Sequence, residues 1–177
     1  MANPIFVTRS DIDDHLETLR LSAEQTQSQL AELAGTEDPL QFLYQLKFNA
    51  IGCDPLSPSR ELNVIEQLNQ TFTYLASFNG AEFIFSRHPK VRRLTLNLGT
   101  AAGSDIESTE GGGIAAEVFA AVTPRNNGKL TKDIKKVSDV KAEYRYVLFM
   151  SPECEAGPYP VAPNPAGVIV WSLGCAL

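Results

Sequence analysis

The alternation of strand-like and helix-like segments between residues 91 and 150 constrains the fold more than any other feature. Residues 91–98 and 104–108 have the pattern of two short strands, and residues 114–122 form a third, almost wholly apolar strand. Residues 129–137 carry apolar side chains at helical spacing, and residues 144–150 form a fourth, buried strand. Short turns predict an antiparallel meander for the first three strands, and the intervening helix permits a parallel crossover to the fourth. We therefore expect an α/β fold with a mixed central sheet flanked by helices.

Helical patterns dominate the chain before this core. Asp38 and Pro39 have the sequence of an N-cap followed by a first-turn proline, and residues 52–59 are typical of a connector. A further helix is predicted from residue 59 to 78, because apolar side chains recur on one face at Leu62, Ile65, Leu68, Phe72 and Leu75. We expect a helical N-terminal extension, residues 1–55, and an α/β core, residues 56–177, in a single domain overall.

Composition excludes several classes of protein. The 177-residue chain has a formal net charge of −6, which weighs against an extended nucleic-acid-binding surface, although basic residues cluster locally. Its three cysteines are far apart and lack the CxxC spacing of zinc sites. No apolar run has the length of a bilayer-spanning helix, and no signal-peptide pattern precedes the first acidic residues. A cytoplasmic protein with reduced thiols is the expectation.

Two carboxylates point to the chemistry. Glu117 stands alone inside the apolar strand of residues 114–122, and Asp105 lies on its predicted hairpin partner. A buried carboxylate is costly unless it is paired or binds a cation, and two such oxygen donors suit Mg²⁺ or Mn²⁺. Glu61, in the first turn of the predicted helix 59–78, is a third candidate ligand. The competing interpretation is a structural ion pair between Glu117 and Arg93 or Arg125.

This arrangement resembles the PD-(D/E)XK nuclease superfamily, whose members have the restriction-endonuclease-like fold. The resemblance rests on Glu61, on the segment 103–106 that contains Asp105, and on the segment 116–119 that contains Glu117. The order of elements from about residue 59 to 150 also fits. It implies a hydrolase that binds Mg²⁺ through the two acids and cleaves DNA phosphodiesters, with a lysine that orients or activates water.

The chain departs from the motif at one position, because Phe119 stands where the superfamily has lysine. The superfamily also shows this lysine relocated to the helix after the third strand, which makes Lys129 and Lys132 the catalytic candidates. Arg125, Lys129, Lys132 and Lys136 are candidates for nucleic-acid binding. The alternative is a solvated helix face, since Lys132 and Lys136 are expected to point away from the apolar positions of that helix.

Three hypotheses follow. The first is a Mg²⁺-dependent endonuclease that acts on DNA. The second is a catalytically inactive nuclease-fold protein that binds a nucleic acid or a protein, which the loss of the motif lysine and the acidic charge would explain. The third is an assembly protein that forms a homodimer through its N-terminal helices, within residues 10–50.

Overall fold

The structure is a computed structural model that describes residues 4–35, 38–99, 103–162, 164 and 167–175. The chain forms two compact units. The first comprises residues 1–12 and 76–177, and the second comprises residues 13–75. The division therefore falls after residues 12 and 75, whereas the sequence pattern placed a single boundary after residue 55.

A seven-stranded sheet forms the centre of the first unit. Its strands, in spatial order, are β1 (Ile5–Val7), β4 (Leu94–Leu96), β5 (Ile106–Ser108), β6 (Ile114–Ala120), β7 (Tyr144–Met150), β9 (Ile169–Gly174) and β8 (Gly157–Pro158). Strands β4, β5 and β6 pair antiparallel. Strand β6 pairs parallel with β7 through the crossover helix α4 (Lys129–Ser138). The predicted α/β class, the meander and the crossover are thus confirmed.

The two faces of this sheet pack on different helices. On one face, Leu130 and Val137 of α4 share a buried cluster with Ala115 and Phe119 of β6. The other face meets the second half of α3 (Val64–Arg87) at Gly80, where a Cβ atom would lie 3.2 Å from side-chain atoms of both Ile106 and Leu148. Glycine at this position lets the helix backbone approach the sheet closely, because no side chain separates them.

The second unit contains helices and a small β-ribbon. Helices α1 (Ile12–Leu33) and α2 (Pro39–Phe48) are followed by the antiparallel strands β2 (Gly52–Asp54) and β3 (Ser57–Leu62), and then by the first half of α3. Asp38 caps α2 as predicted, since its carboxylate accepts hydrogen bonds from the backbone N–H groups of Leu40 and Gln41. None of the described helices combines the length and apolar character needed to cross a membrane.

Two predictions in this region are wrong. Residues 52–59 belong to the ribbon rather than to a connector, and α3 begins at Val64 rather than near residue 59. Asn63 accepts a hydrogen bond from the N–H of Glu66, whose carboxylate bonds the Asn63 N–H in return, and this reciprocal pair fixes the start of the helix. The apolar face assigned to the helix is also only partly covered, since Ile65 and Leu68 are each about half exposed.

Sequence reasoning also missed β1. Residues 4–7 were expected in a helical extension, yet Ile5, Phe6 and Val7 pair antiparallel with β4 and form one border of the main sheet. A three-residue strand is too short for its alternation to be recognised in the sequence.

Candidate active site

Adjacent strands bring Asp105 and Glu117 together. Strands β5 and β6 pair Ile106 with Ala116, so the next position outward sets Asp105 across from Glu117. The backbone N–H of Val118 donates a 2.8 Å hydrogen bond to Asp105 Oδ2, which holds that carboxylate against β6. On the other side, the Asp105 carbonyl accepts a 2.8 Å hydrogen bond from the N–H of Asn97. Asp105 is thus fixed by its two neighbouring strands.

Glu117 is buried, with only 1% of its surface exposed. Its Oε2 atom accepts a 2.7 Å hydrogen bond from Lys136 Nζ, and its Oε1 atom has no hydrogen-bond partner among the described residues. Burial raises the pKa of Glu117 above its usual value, and the nearby Asp105 carboxylate raises it further, while Lys136 opposes both effects. Among the described residues, Glu117 Oε1 has no donor, although Lys136 donates to the other oxygen of the same carboxylate.

Helix α4 contributes a second ion pair, between the Asp133 carboxylate and the Lys129 ammonium. Asp133 is 4% exposed, and its Oδ1 atom accepts a 2.8 Å hydrogen bond from Lys129 Nζ. Its Oδ2 atom is buried and, within the described part of the chain, has no hydrogen-bond partner. Burial raises the pKa of Asp133, and the negative charge of Asp105 acts in the same direction. Asp105 thus interacts electrostatically with both Glu117 and Asp133.

The two lysines enter the site differently. Lys136 has a raised pKa because its hydrogen bond to Glu117 and the nearby acids outweigh desolvation, which alone would lower that pKa. The alternative interpretation placed Lys136 on a solvated helix face; the residue is exposed there, but its ammonium contacts Glu117. Its long side chain, about half exposed, reaches from the edge of the helix to Glu117. Lys129, a predicted catalytic residue, lies beside Asp133 and places its ammonium 5.7 Å from the centre of the Phe119 ring.

Phe119, at the position of the motif lysine, is part of the core. Its ring stacks on that of Phe149 with centroids 5.6 Å apart. Because side chains alternate along a strand, Phe119 lies on the same sheet face as Glu117. Lysine ammonium groups therefore do reach this face, but they come from α4.

The other predicted residues lie elsewhere. Lys132 is exposed on α4. Arg125 lies over the ring of Tyr159 and donates a 3.2 Å hydrogen bond to its hydroxyl, so it is not the partner of Glu117. Glu61 is exposed on β3, where it pairs with Cys53, and the prediction that it sits in the first turn of a helix is wrong. Glu61 belongs to the second unit, and the candidate site is built without it.

Asp133 was missed by sequence reasoning, as was the contact between Lys136 and Glu117. A signal was present, because Lys129, Asp133 and Lys136 are four and three residues apart and form a polar stripe along one side of α4. That stripe borders the apolar stripe of Leu130 and Val137. Polar side chains at the edge of a buried helix face can reach inward, so the apolar positions of α4 alone could not identify Asp133 and Lys136 as site residues.

The donor set suits a hard cation. Across the described residues, no group of three or more histidine, cysteine, aspartate or glutamate side chains is already arranged to hold a metal ion. However, Glu117 Oε1 and Asp133 Oδ2 are buried acceptors to which no described residue donates, and three carboxylates face two ammonium groups. A divalent ion bound by carboxylate oxygens would satisfy these acceptors and offset the excess negative charge. Asp105, Glu117 and Asp133 are the residues that would hold it.

An open cavity of about 850 Å³ lies on the same sheet face. Thr95, Glu107 and Ala115 line it, and alternation places Glu107 on the face of Asp105 and Ala115 on that of Glu117. Three exposed basic residues also line the cavity, namely Arg92, Arg93 and Lys141. A groove with cationic side chains therefore adjoins the carboxylates along β5 and β6.

Comparisons with protein-family models, with curated proteins and with solved structures found no match.

Proposed function

We propose that this protein is a Mg²⁺-dependent phosphodiesterase of the endonuclease type that acts on DNA, with Mn²⁺ as an alternative ion. One observation carries the proposal. Glu117 is fully buried beside Asp105, with one carboxylate oxygen that lacks a donor in the described part of the chain, on a sheet face that continues into a groove lined by basic residues. The resemblance to the PD-(D/E)XK superfamily in the order of strands and acids is a second support.

The chain supplies distinct groups to hydrolysis of a phosphodiester. Asp105 and Glu117 would hold the cation, and Asp133 would add a carboxylate from α4. A divalent ion held there would supply a coordinated water of lowered pKa and positive charge to offset that of the phosphoryl group. Lys136 and Lys129 donate hydrogen bonds in the region where the superfamily has its motif lysine, and they are suited to orient a water molecule.

The groove would supply affinity for the rest of the bound DNA strand. Arg92 and Arg93 are exposed, and guanidinium groups match phosphate oxygens in geometry and charge. Two carboxylates also line the groove, and each accepts a hydrogen bond from a backbone N–H, Glu107 from Ser104 and Glu110 from Arg92. Three cationic side chains against two carboxylates give the groove a small excess of positive charge, although the whole chain is acidic. A cytoplasmic location is part of the proposal, and the three unpaired cysteines support it.

Cleavage of supercoiled plasmid and of single-stranded DNA and RNA oligonucleotides, with Mg²⁺, with Mn²⁺ or with EDTA, tests the proposal. We expect metal-dependent cleavage of DNA that Asp105→Asn and Glu117→Gln each reduce by at least about a hundredfold, because each removes a charged ligand of the ion. The matched control is Asp139→Asn, at the exposed C-cap residue of α4. Cleavage that persists in Glu117→Gln would contradict the mechanism.

A non-catalytic binding protein is the second candidate. It is favoured by the pairing of both lysines with carboxylates, Lys129 with Asp133 and Lys136 with Glu117, which leaves neither ammonium without a counter-ion. This candidate predicts that DNA is retained without cleavage in every metal ion tested. It also predicts that Arg92→Ala and Arg93→Ala together weaken the retention.

A further inference from the structure

Helix α2 in the second unit carries an apolar face that is exposed among the residues described by the structure. None of its residues is fully buried. Phe42 and Leu46 are half-buried, which identifies the side turned toward the protein. The opposite side exposes four large apolar residues: Leu40 by 77%, Leu43 by 58%, Tyr44 by 54% and Phe48 by 61%. A helix that is apolar on both sides is normally covered on both.

The four exposed residues form one continuous stripe. Their spacing of three, four and eight residues from Leu40 places them along one side of the helix. The rings of Tyr44 and Phe48 lie 5.0 Å apart, and the ammonium of Lys47 lies 5.4 Å from the centre of the Phe48 ring. The stripe is therefore ordered by its own contacts and carries one charge, at its C-terminal end.

We propose that this stripe joins two copies of the chain in an antiparallel helix pair with two-fold symmetry. Such an interface uses the same patch twice, so the patch must complement itself. In an antiparallel pair centred near Leu43, Lys47 of one copy comes opposite Asp38 of the other. Asp38 is exposed at the start of α2, and Lys47 is exposed at its end. Opposite charges would therefore meet at both ends of such a helix pair.

The area also suits a dimer. Four large apolar side chains at these exposures present roughly 500 Å² on each copy, which is in the range of the largest patches on monomers. Two copies would bury roughly 1,000 Å² from these side chains alone, and flanking residues bring the total toward the ~1,200 Å² of small specific interfaces. The proposal does not depend on the nuclease function, since no residue of the candidate active site takes part.

Light scattering and sedimentation of the full chain, from low to high micromolar concentration, test the dimer. We expect a dimer whose dissociation constant rises at least tenfold in Leu43→Glu, which buries a charge in the interface, and rises less in Lys47→Glu, which opposes Asp38. Val122→Glu is the control, since Val122 is 72% exposed in the first unit. Leu43→Gln provides a milder variant, and circular dichroism confirms that each variant folds.

Two results would overturn the proposal. One is a wild-type protein that remains monomeric at the highest concentration. The other is a dimer that Leu43→Glu leaves as stable as before. The active-site variant Glu117→Gln should dimerise like the wild type. A failure of the dimer proposal can therefore be distinguished from a failure of the nuclease proposal.

Discussion

Removal of the Lys136 ammonium measures how much its hydrogen bond to the buried Glu117 carboxylate contributes to the free energy of unfolding. The change Lys136→Met keeps most of the aliphatic side chain and removes the 2.7 Å hydrogen bond to Glu117 Oε2. Glu117 then has neither carboxylate oxygen paired, because Oε1 already lacks a donor among the residues that the structure describes. The variant therefore isolates an unpaired charge in the core.

The expected loss follows from the burial of the two partners. Breaking a fully buried ion pair costs about 3–5 kcal/mol. The Lys136 side chain is 50% exposed, so water can replace part of its contribution, and we expect a loss of about 1–2 kcal/mol. For a chain of this size, each kcal/mol lowers Tm by about 2–4 °C. A fall of about 4 °C in metal-free buffer near neutral pH is the expected result.

A double-mutant cycle provides the control. Glu117→Gln removes the charge, so Lys136→Met should cost less than about 0.5 kcal/mol when added to it. Urea unfolding monitored by circular dichroism supplies the four free energies of unfolding. Equal losses in the two backgrounds would refute the reasoning, because the cost would then come from packing of the lysine stem and not from the stranded carboxylate.

Three further predictions address the fold and the titration of the site. Gly80→Ala should lower the free energy of unfolding by about 1 kcal/mol, because crowding of the added Cβ against Ile106 and Leu148 at 3.2 Å outweighs the gain of about 0.5–1 kcal/mol from alanine in a helix, and an increase in the urea midpoint would contradict this packing. Tyr74→Phe should cost about 1–2 kcal/mol, since the Tyr74 hydroxyl lies 3.1 and 3.2 Å from the two carboxylate oxygens of buried Asp54; an unchanged thermal transition would count against it. The raised pKa of Glu117 means that the folded state holds its proton longer than the unfolded state. In metal-free buffer, the stability of the wild type relative to Glu117→Gln should therefore fall as pH rises above about 4.5, and a flat difference would refute the assignment.

Much of the first unit could be predicted from the sequence, because its elements carry long and regular patterns. Residues 114–122 and 144–150 are apolar runs of strand length, and the structure contains β6 and β7 at nearly these bounds. The helix predicted at 129–137 matches α4 to within one residue. The turn between β5 and β6 is short enough to favour antiparallel pairing, which also allowed Asp105 to be placed opposite Glu117.

The second unit was harder to predict, because its local patterns conflict with its structure. Pro55 and Pro58 are typical of a loop, yet Pro55 lies in the turn of a two-stranded ribbon and Pro58 lies in its second strand. The apolar positions Ile65 and Leu68 imply a buried face, but both are about half exposed. The polar network of Asp54, Arg60 and Tyr74 depends on residues 6 and 20 positions apart, and no local spacing marks such a contact.

Within the candidate site, the strand residues were predictable and the helix residues were not. Alternation along β6 identified Glu117 and its face, because a strand has only two sides. On α4, the choice among Lys129, Lys132 and Lys136 depends on side-chain reach over several ångströms. The pattern favoured Lys129 and Lys132, whereas the lysine that contacts Glu117 is Lys136.

The borders of the main sheet affect how this protein can associate. One border strand, β1, has three residues, and the other, β8, has two, of which one is Pro158. A proline lacks the backbone N–H that a neighbouring strand would need, and strands this short present few unpaired backbone groups. Intermolecular pairing of strands is therefore disfavoured at both edges of the sheet. A truncated variant that lacks the residues before Thr8 would uncover β4 and should show a greater tendency to aggregate through its backbone.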